Sequence, residues 1–394
     1  MPYYLILFAE SKKIDIFAPC HIIYCMQKLY IWEHNGWPYL TWDNKELSPL
    51  LGEVRNKQGQ LTGKISLLDN DLKNETIHNA VISDIMASAR LEGASFDEEQ
   101  VLITTGQYLS KKRFKLSETE DISIGASQVF IDALYNYKNT ITEERIFLWK
   151  YALEGKTDIT PSSIGWHKAD MVMNFSSPKP IERKMEYMKI PIPQNTEEEM
   201  SAFLTWANTA HPTDPVIKAG VAYLRFLLIR PFDRYNGYIA RNISNIFLSR
   251  ADNLPERIYS VSAQIEHERQ QYNEILTHTQ TGGLDITEWL RWFLYCIEKA
   301  LINAEDALTR VLNKSKFFDK YRLVSLNKRQ LKTINMLWDG FDGKMSTSTW
   351  GSINKCSPDT ALRDIQDLIS KKMLRKENAG GRSTSYCIND ENLI

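Results

Sequence analysis

Between residues 228 and 242 the chain reads LIRPFDRYNGYIARN, which sets three guanidiniums, Arg230, Arg234 and Arg241, and one carboxylate, Asp233, around the pair Asn236-Gly237. A guanidinium keeps its charge at any working pH and carries several donors, so a cluster of them suits phosphate oxygens. Asn236 reads as an N-cap, and a helix entered from a loop turns unpaired N–H groups and the positive end of its dipole toward an anion. The stretch reads as a phosphate-binding corner or, more plainly, as a charged loop between two core helices. One carboxylate elsewhere asks for such a cation. Ile77, Val81, Ile85 and Ala89 recur every four residues and carry Glu92 on the same inward face. There it stands in a last helical turn, where the dipole disfavours an anion by roughly 0.3–1 kcal/mol, and Gly93 supplies the stop.

The elements that must hold these residues are mostly helical. The Trp-rich opening YIWEHNGWPYLTW runs into apolar residues at helical spacing, and that spacing predicts a further helix from Thr76 to Glu92. Residues 122–153 read as two helices, with Thr142 capping the second. Residues 157–193 lack a 3.6 period, carry β-formers with Pro and Ser turns, and read as a hairpin-like segment. In TEEEMSAFLTWAN, Thr196 and Glu199 have the spacing of a capping box. DPVIKAGVAYLRFLLI is apolar on nearly every face and reads as a central helix; GYIARNISNIFLSR resumes with Ile239, Ile243, Ile246 and Phe247 inward.

Residues from 318 onward read as a separate module. NKRQLKTINML and STSTWGSIN are helices, Ser357-Pro358 opens a third that buries Ala361, Ile365, Leu368 and Ile369, and MLRKENAGGRSTSYCI reads as a hairpin. That order is a winged helix-turn-helix. Lys371, Lys372, Arg375, Lys376 and Arg382 lie where DNA phosphates would run, whereas Asp359, Asp364 and Asp367 on the third helix favour a protein-interaction module instead.

With 394 residues the chain exceeds one ordinary core, and the reading divides it into a leader (1–25), an N-terminal helical domain (26–115), a core (116–315) and the C-terminal module (316–394). A net charge of -1 excludes a globally basic nucleic-acid binder and confines any such role to a local patch. Five scattered cysteines without CxxC spacing fit reduced thiols in a cytoplasm, and the seven histidines show no metal-binding spacing. YYLILFA is too short to span a bilayer and no basic residue precedes it, so neither a signal peptide nor a membrane anchor is expected; translation from Met1 and from Met26 both fit.

DPVIKAGVAYLRFLLIRPFDRYNGYIAR resembles the core of Fic (Fido) proteins, whose signature HPFx(D/E)GNGRxxR follows a buried helix. YIWEHNGWPYLTWDNKELSPLLGEVRNKQGQL resembles the N-terminal domain of unknown function that precedes many bacterial Fic cores, and SARLEG, residues 88–93, is similar to the family's inhibitory motif S/T-xxx-E-G/N. The resemblance implies a mainly α fold: a Fic helical core with a small β-hairpin flap, an N-terminal helical domain and the C-terminal winged helix. It also implies transfer of AMP from ATP onto a target protein's hydroxyl. Pro231, Phe232, Asn236, Gly237 and Arg241 stand as the family has them.

Four positions depart. Where the resemblance implies the histidine base stands Arg230, which cannot accept a proton. Where it implies the acidic metal ligand stands Arg234, which repels Mg²⁺, so Mg²⁺ is not expected and no metal ligand is assigned. Tyr235 replaces a glycine of the anion nest, and Tyr238 replaces a phosphate-contacting arginine. Asp233 is one residue out of register with the metal position. The resemblance pairs Glu92 with Arg241 as a brake, with Ser88 and Gly93 completing the motif; a plain buried ion pair is the other reading.

The leading expectation is an AMP-transferase fold with a degenerate site, its catalysis lost or strongly weakened. It would be kept to bind ATP or ADP through Arg230, Arg234, Asn236, Gly237 and Arg241, or to bind a partner protein, and to regulate transcription. One alternative is an active, auto-inhibited protein adenylyltransferase whose base lies elsewhere. Another is a winged-helix DNA-binding regulator. Homo-oligomerisation is compatible with each.

Overall fold

The computed structural model describes residues 29–111, 119–155, 165–166, 196–377 and 384–390. The leader, nearly all of the hairpin-like segment 157–193, and Arg382 lie outside them. After a short 3-10 turn, Ile31–Glu33, Asp43 accepts from the Lys45 and Glu46 N–H groups and starts α1 (Asn44–Ser66). Asp69 caps α2 (Asn70–Leu91) through the Leu72 N–H, which starts this helix ahead of the predicted Thr76. The stripe Ile77, Val81, Ile85 and Ala89 is buried along it. α3 (Glu98–Lys111), α4 (Ile122–Tyr135) and α5 (Glu143–Glu154) follow, with Thr142 accepting from the Arg145 N–H at 3.2 Å at the start of α5.

The predicted capping box before α6 (Thr196–Asn208) is not formed. Thr196 is already inside the helix, and the Glu199 carboxylate instead accepts from Trp37 Nε1 at 2.6 Å. α7 (Pro215–Ile229) starts from Asp214 with proline at its first position. It packs along α8 (Asn236–Asp252), and these two helices are buried over most of their length. α9 (Val261–His267), α10 (Arg269–Gln280) and the long α11 (Thr287–Lys320) complete the body. Gly220 lets α7 lie close on α11: a Cβ there would meet Phe293 at 2.7 Å and Leu290 at 2.9 Å.

Helices from both sides of residue 115, including α1, α2, α4, α7, α8 and α11, feed one continuous hydrophobic core, so the N-terminal segment has no core of its own. The boundary expected at 315/316 falls inside α11, whose Phe317 is fully buried in a second, smaller core. That core is completed by α12 (Lys328–Trp338), α13 (Thr347–Asn354), α14 (Pro358–Ser370) and an antiparallel pair, β1 (Leu374–Lys376) and β2 (Tyr386–Ile388), with Leu374 opposite Ile388. Ser357 caps α14; Ala361, Ile365 and Leu368 are buried, but Ile369 is only half-buried. The chain is mainly helical, and among the described residues no helix is long and apolar enough to cross a membrane.

Candidate functional site

The loop between α7 and α8 is shaped by two left-handed residues, Arg230 (φ 49°) at the end of α7 and Tyr235 (φ 65°) at the entry of α8. A side chain at such angles costs about 1–2 kcal/mol, so the rest of the loop must hold them. Asn236 does this, though not as the expected cap. It is the first helical residue, and its side chain turns back: Nδ2 donates to the Phe232 carbonyl at 2.7 Å and Oδ1 accepts the Phe232 N–H at 3.0 Å. Tyr235 takes the cap position with no side-chain bond, which leaves the start of α8 without a side-chain acceptor.

Glu92 lies beside that helix start. Arg241, one turn into α8 and only 4% exposed, donates to Glu92 Oε1 at 2.8 Å, to Ser88 Oγ at 2.8 Å and to the Ser88 carbonyl at 3.1 Å. Burial, the largest single influence, works to lower the Arg241 pKa, but Glu92, Tyr223 and Tyr272 together outweigh it and raise it. The carboxylate also lies against the backbone of Gly237, where a Cβ would come within 2.2 Å of Glu92 Oε1. Gly237 therefore admits an anion to the helix start, and the anion there is the protein's own. Gly93, with φ +70°, turns the chain away behind it. The C-terminal end of α2 is fixed from outside: Arg90 pairs with Glu266 of α9, and Arg269 donates to the Arg90 and Leu91 carbonyls at 2.5 and 3.1 Å.

The three arginines are not brought together. Arg230 is close enough to feel Glu92, which offsets part of the lowering that burial imposes on its pKa. Arg234 turns the other way and pairs with Glu154 at the end of α5. Lys150, also on α5 and buried, bonds both Glu154 and Asp233 at 2.5 Å. Burial, the largest single influence, pushes the Glu154 and Asp233 carboxyls up, but Arg234 and Lys150 together bring both below their ordinary values. The Tyr235 ring lies beneath two of these cations, 5.1 Å from Arg234 Cζ and 5.6 Å from Lys150 Nζ. Tyr238 is fully buried and donates to the Ala126 carbonyl of α4 at 2.9 Å. It has become a core residue.

Sequence reasoning missed Lys150 and Glu154. Their signal was an i, i+4 ion pair on a helix whose neighbouring positions, Trp149 and Leu153, are fully buried. Position 230 carries a guanidinium, and the guanidinium at position 234 is bound to the Glu154 carboxylate.

In the C-terminal module, two of the three acids on α14 are neutralised internally. Asp364 accepts from Arg329 at 2.7 and 3.1 Å and from Asn327 at 2.8 Å; Asp367 accepts from Lys371 at 2.6 Å and Gln330 at 2.7 Å. Lys372 and Lys376 are exposed, and Arg375 lies 3.6 Å from Asp390. Lys371 is thus engaged, and Arg382 is outside the described residues.

Comparison with known proteins matches residues 160–248 to the Fic/DOC family and residues 30–107 to the domain of unknown function DUF4172. Protein adenylyltransferase Fic of Nematostella vectensis is 29% identical over 113 residues, which is 28% of this chain and 25% of that protein. The chain thus spans about a quarter of the length of that curated relative. Among solved structures, a Fic family protein from Desulfovibrio desulfuricans aligns over 89% of this chain and 97% of its own, at 15% identity and a TM-score of 0.49. A Fic domain-containing signaling protein from Bacteroides thetaiotaomicron aligns over 66% and 97%, at 16% identity and a TM-score of 0.46.

Proposed function

We propose that this chain, which carries a Fic/DOC-family segment behind a DUF4172 segment, is a relative of the AMP-transferases that no longer transfers AMP and keeps its helix-start corner as a gated nucleotide-binding site. The observation that carries this reading is the pairing of Arg234 with Glu154: where the resemblance implies a metal-binding carboxylate, a guanidinium is locked in place, while Arg230 stands at the base position. Arg241, Gly237 and the uncapped start of α8 supply the donors for a nucleotide's phosphates, and Arg230 adds charge nearby. Ser88 and Glu92 occupy the Arg241 donors in the resting protein, and Glu92 lies against Gly237, which makes them the gate. A partner protein is the other ligand this corner could serve.

Two measurements test the reading. With labelled ATP and Mg²⁺, neither the unmodified chain nor Glu92→Gly should label itself or lysate proteins; robust labelling by either would show an active, auto-inhibited adenylyltransferase with its base elsewhere. Calorimetry should find weak ATP or ADP binding without Mg²⁺, tighter in Glu92→Gly and weaker in Arg241→Ala. Absence of binding by every variant at ~1 mM, an affinity of only about 4 kcal/mol, would reduce the corner to a structural remnant.

A second reading, DNA binding by a C-terminal winged helix, is favoured by the internal neutralisation of Asp364 and Asp367, which leaves Arg363 and Gln366 on the exposed face of α14. A DNA mobility shift that weakens steeply with salt tests it.

A further inference from the structure

A cavity of about 1100 Å³ opens between the segment Pro38–Trp42 and the helices α6 and α7. Its size suits a small organic ligand. Tyr39, Trp42 and Trp206 line it with flat aromatic surface, and Arg225 of α7 reaches it from the core. Arg225 is only 4% exposed, and its guanidinium lies 5.0 Å from the Trp206 ring and 5.6 Å from the Phe203 ring. Its buried Nε meets no acceptor. Glu199 acts on Arg225 electrostatically without forming an ion pair among the described residues; its Oε1 is taken by Trp37 and its buried Oε2 has no donor. The wall thus holds a buried cation short of an acceptor, and burial holds its pKa down at about 10.

This arrangement is distinct from the corner at Gly237. Arg225 precedes Arg230 on the same helix by five residues, about 140° around its axis. A buried guanidinium stacked on indole is a receptor for a planar carboxylate, which it can bind through two parallel bonds. The rim narrows the choice of charge: Glu197 and Glu198 line the same cavity and repel a polyanion such as a nucleotide triphosphate.

We infer that the cavity between Pro38–Trp42 and α6–α7 binds a small aromatic monocarboxylate, with its carboxylate on Arg225 and its ring against the indoles of Trp42 and Trp206. Binding would couple the N-terminal Trp-rich segment to the helix that ends at Arg230. The test uses the full chain, with indole-3-acetate and its neutral amide, indole-3-acetamide, as probes in titration calorimetry. The acid should bind saturably, and the amide at least about tenfold more weakly, a difference of roughly 1.4 kcal/mol. Arg225→Gln should remove the preference for the acid. Because Arg225 is buried, a second variant is placed where the fold is not at stake: Ala202 is exposed on the cavity wall, and Ala202→Trp should fill the space and abolish binding of both probes. Equal binding of acid and amide by the unmodified chain, no saturation by about 5 mM, or undiminished binding by Ala202→Trp would each overturn the assignment.

Discussion

At the scale of single residues, the corner is decided by which anion faces Arg241. A buried guanidinium left without its carboxylate is expensive, and here Arg241 is 4% exposed while Glu92 is 16% exposed. Glu92→Gly should therefore lower stability by about 1–3 kcal/mol, read as a drop in the urea midpoint. The same vacancy is what a phosphate would fill. Added ATP should raise the melting temperature of Glu92→Gly by more than that of the unmodified chain; an equal shift in both would mean that Glu92 does not gate the corner. Much of this pair was legible in the sequence. The four-residue stripe through Ala89 fixed the face of Glu92, and its unfavourable place in the last turn demanded a cation. The role of Asn236 was not legible, because a residue that caps a helix and one that folds back to clamp a loop share the same local sequence signal.

At the scale of elements, α5 holds the loop through charge rather than apolar contact alone. Lys150 joins Glu154 to Asp233, and Glu154 holds Arg234, so helix and loop share one network. Both carboxyls are lowered from their ordinary values of 4.5 and 3.8. A group with a lowered folded pKa contributes stability that is fully present above the unfolded value and is lost as the pH falls through the folded one. The contribution of this network should accordingly hold from neutral pH down to about 5 and fade below about 4. Glu154→Gln should lower stability at pH 7 and flatten its acid limb, and a denaturation series from pH 7 to about 3 would show both. Unchanged steepness on the acid side would assign acid sensitivity to other carboxylates. α2 is held by a comparable device at its middle, where buried Asp84 accepts from Ser260 Oγ at 2.9 Å and Ser262 Oγ at 2.6 Å. Asp84→Ala should cost about 1–3 kcal/mol and loosen the helix that carries Ser88 and Glu92, seen as faster amide exchange over Ile85–Leu91. These ties join residues far apart in the chain, and neither periodicity nor cap signals encode such partners, which is why the helices were readable and their fastening was not.

At the scale of the whole molecule, two cores share one helix. The large core takes the first part of α11 through Trp289, Leu290, Phe293 and Leu294, and the small core takes its end through Phe317. No Gly or Pro interrupts the 34 residues of α11, so nothing in its local sequence marks a boundary; the helix passes from one core to the other without a break. A continuous helix transmits orientation between the cores, but each core can still lose its packing separately. Phe317 is the residue on which this turns, since it is fully buried among side chains of the C-terminal module, with the Trp338 ring 5.5 Å away. Phe317→Ala should cost about 3–5 kcal/mol, and that cost should fall on the module alone. Calorimetric unfolding of the full chain is expected to show two transitions, with Phe317→Ala lowering the one assigned to the module and leaving the other within about 1 °C. Trp289→Ala, buried in the large core at the other end of the same helix, should do the reverse. A single transition that both variants lower equally would mean that α11 fuses the two cores into one cooperative unit, and binding at the Arg241 corner would then stabilise the C-terminal module directly.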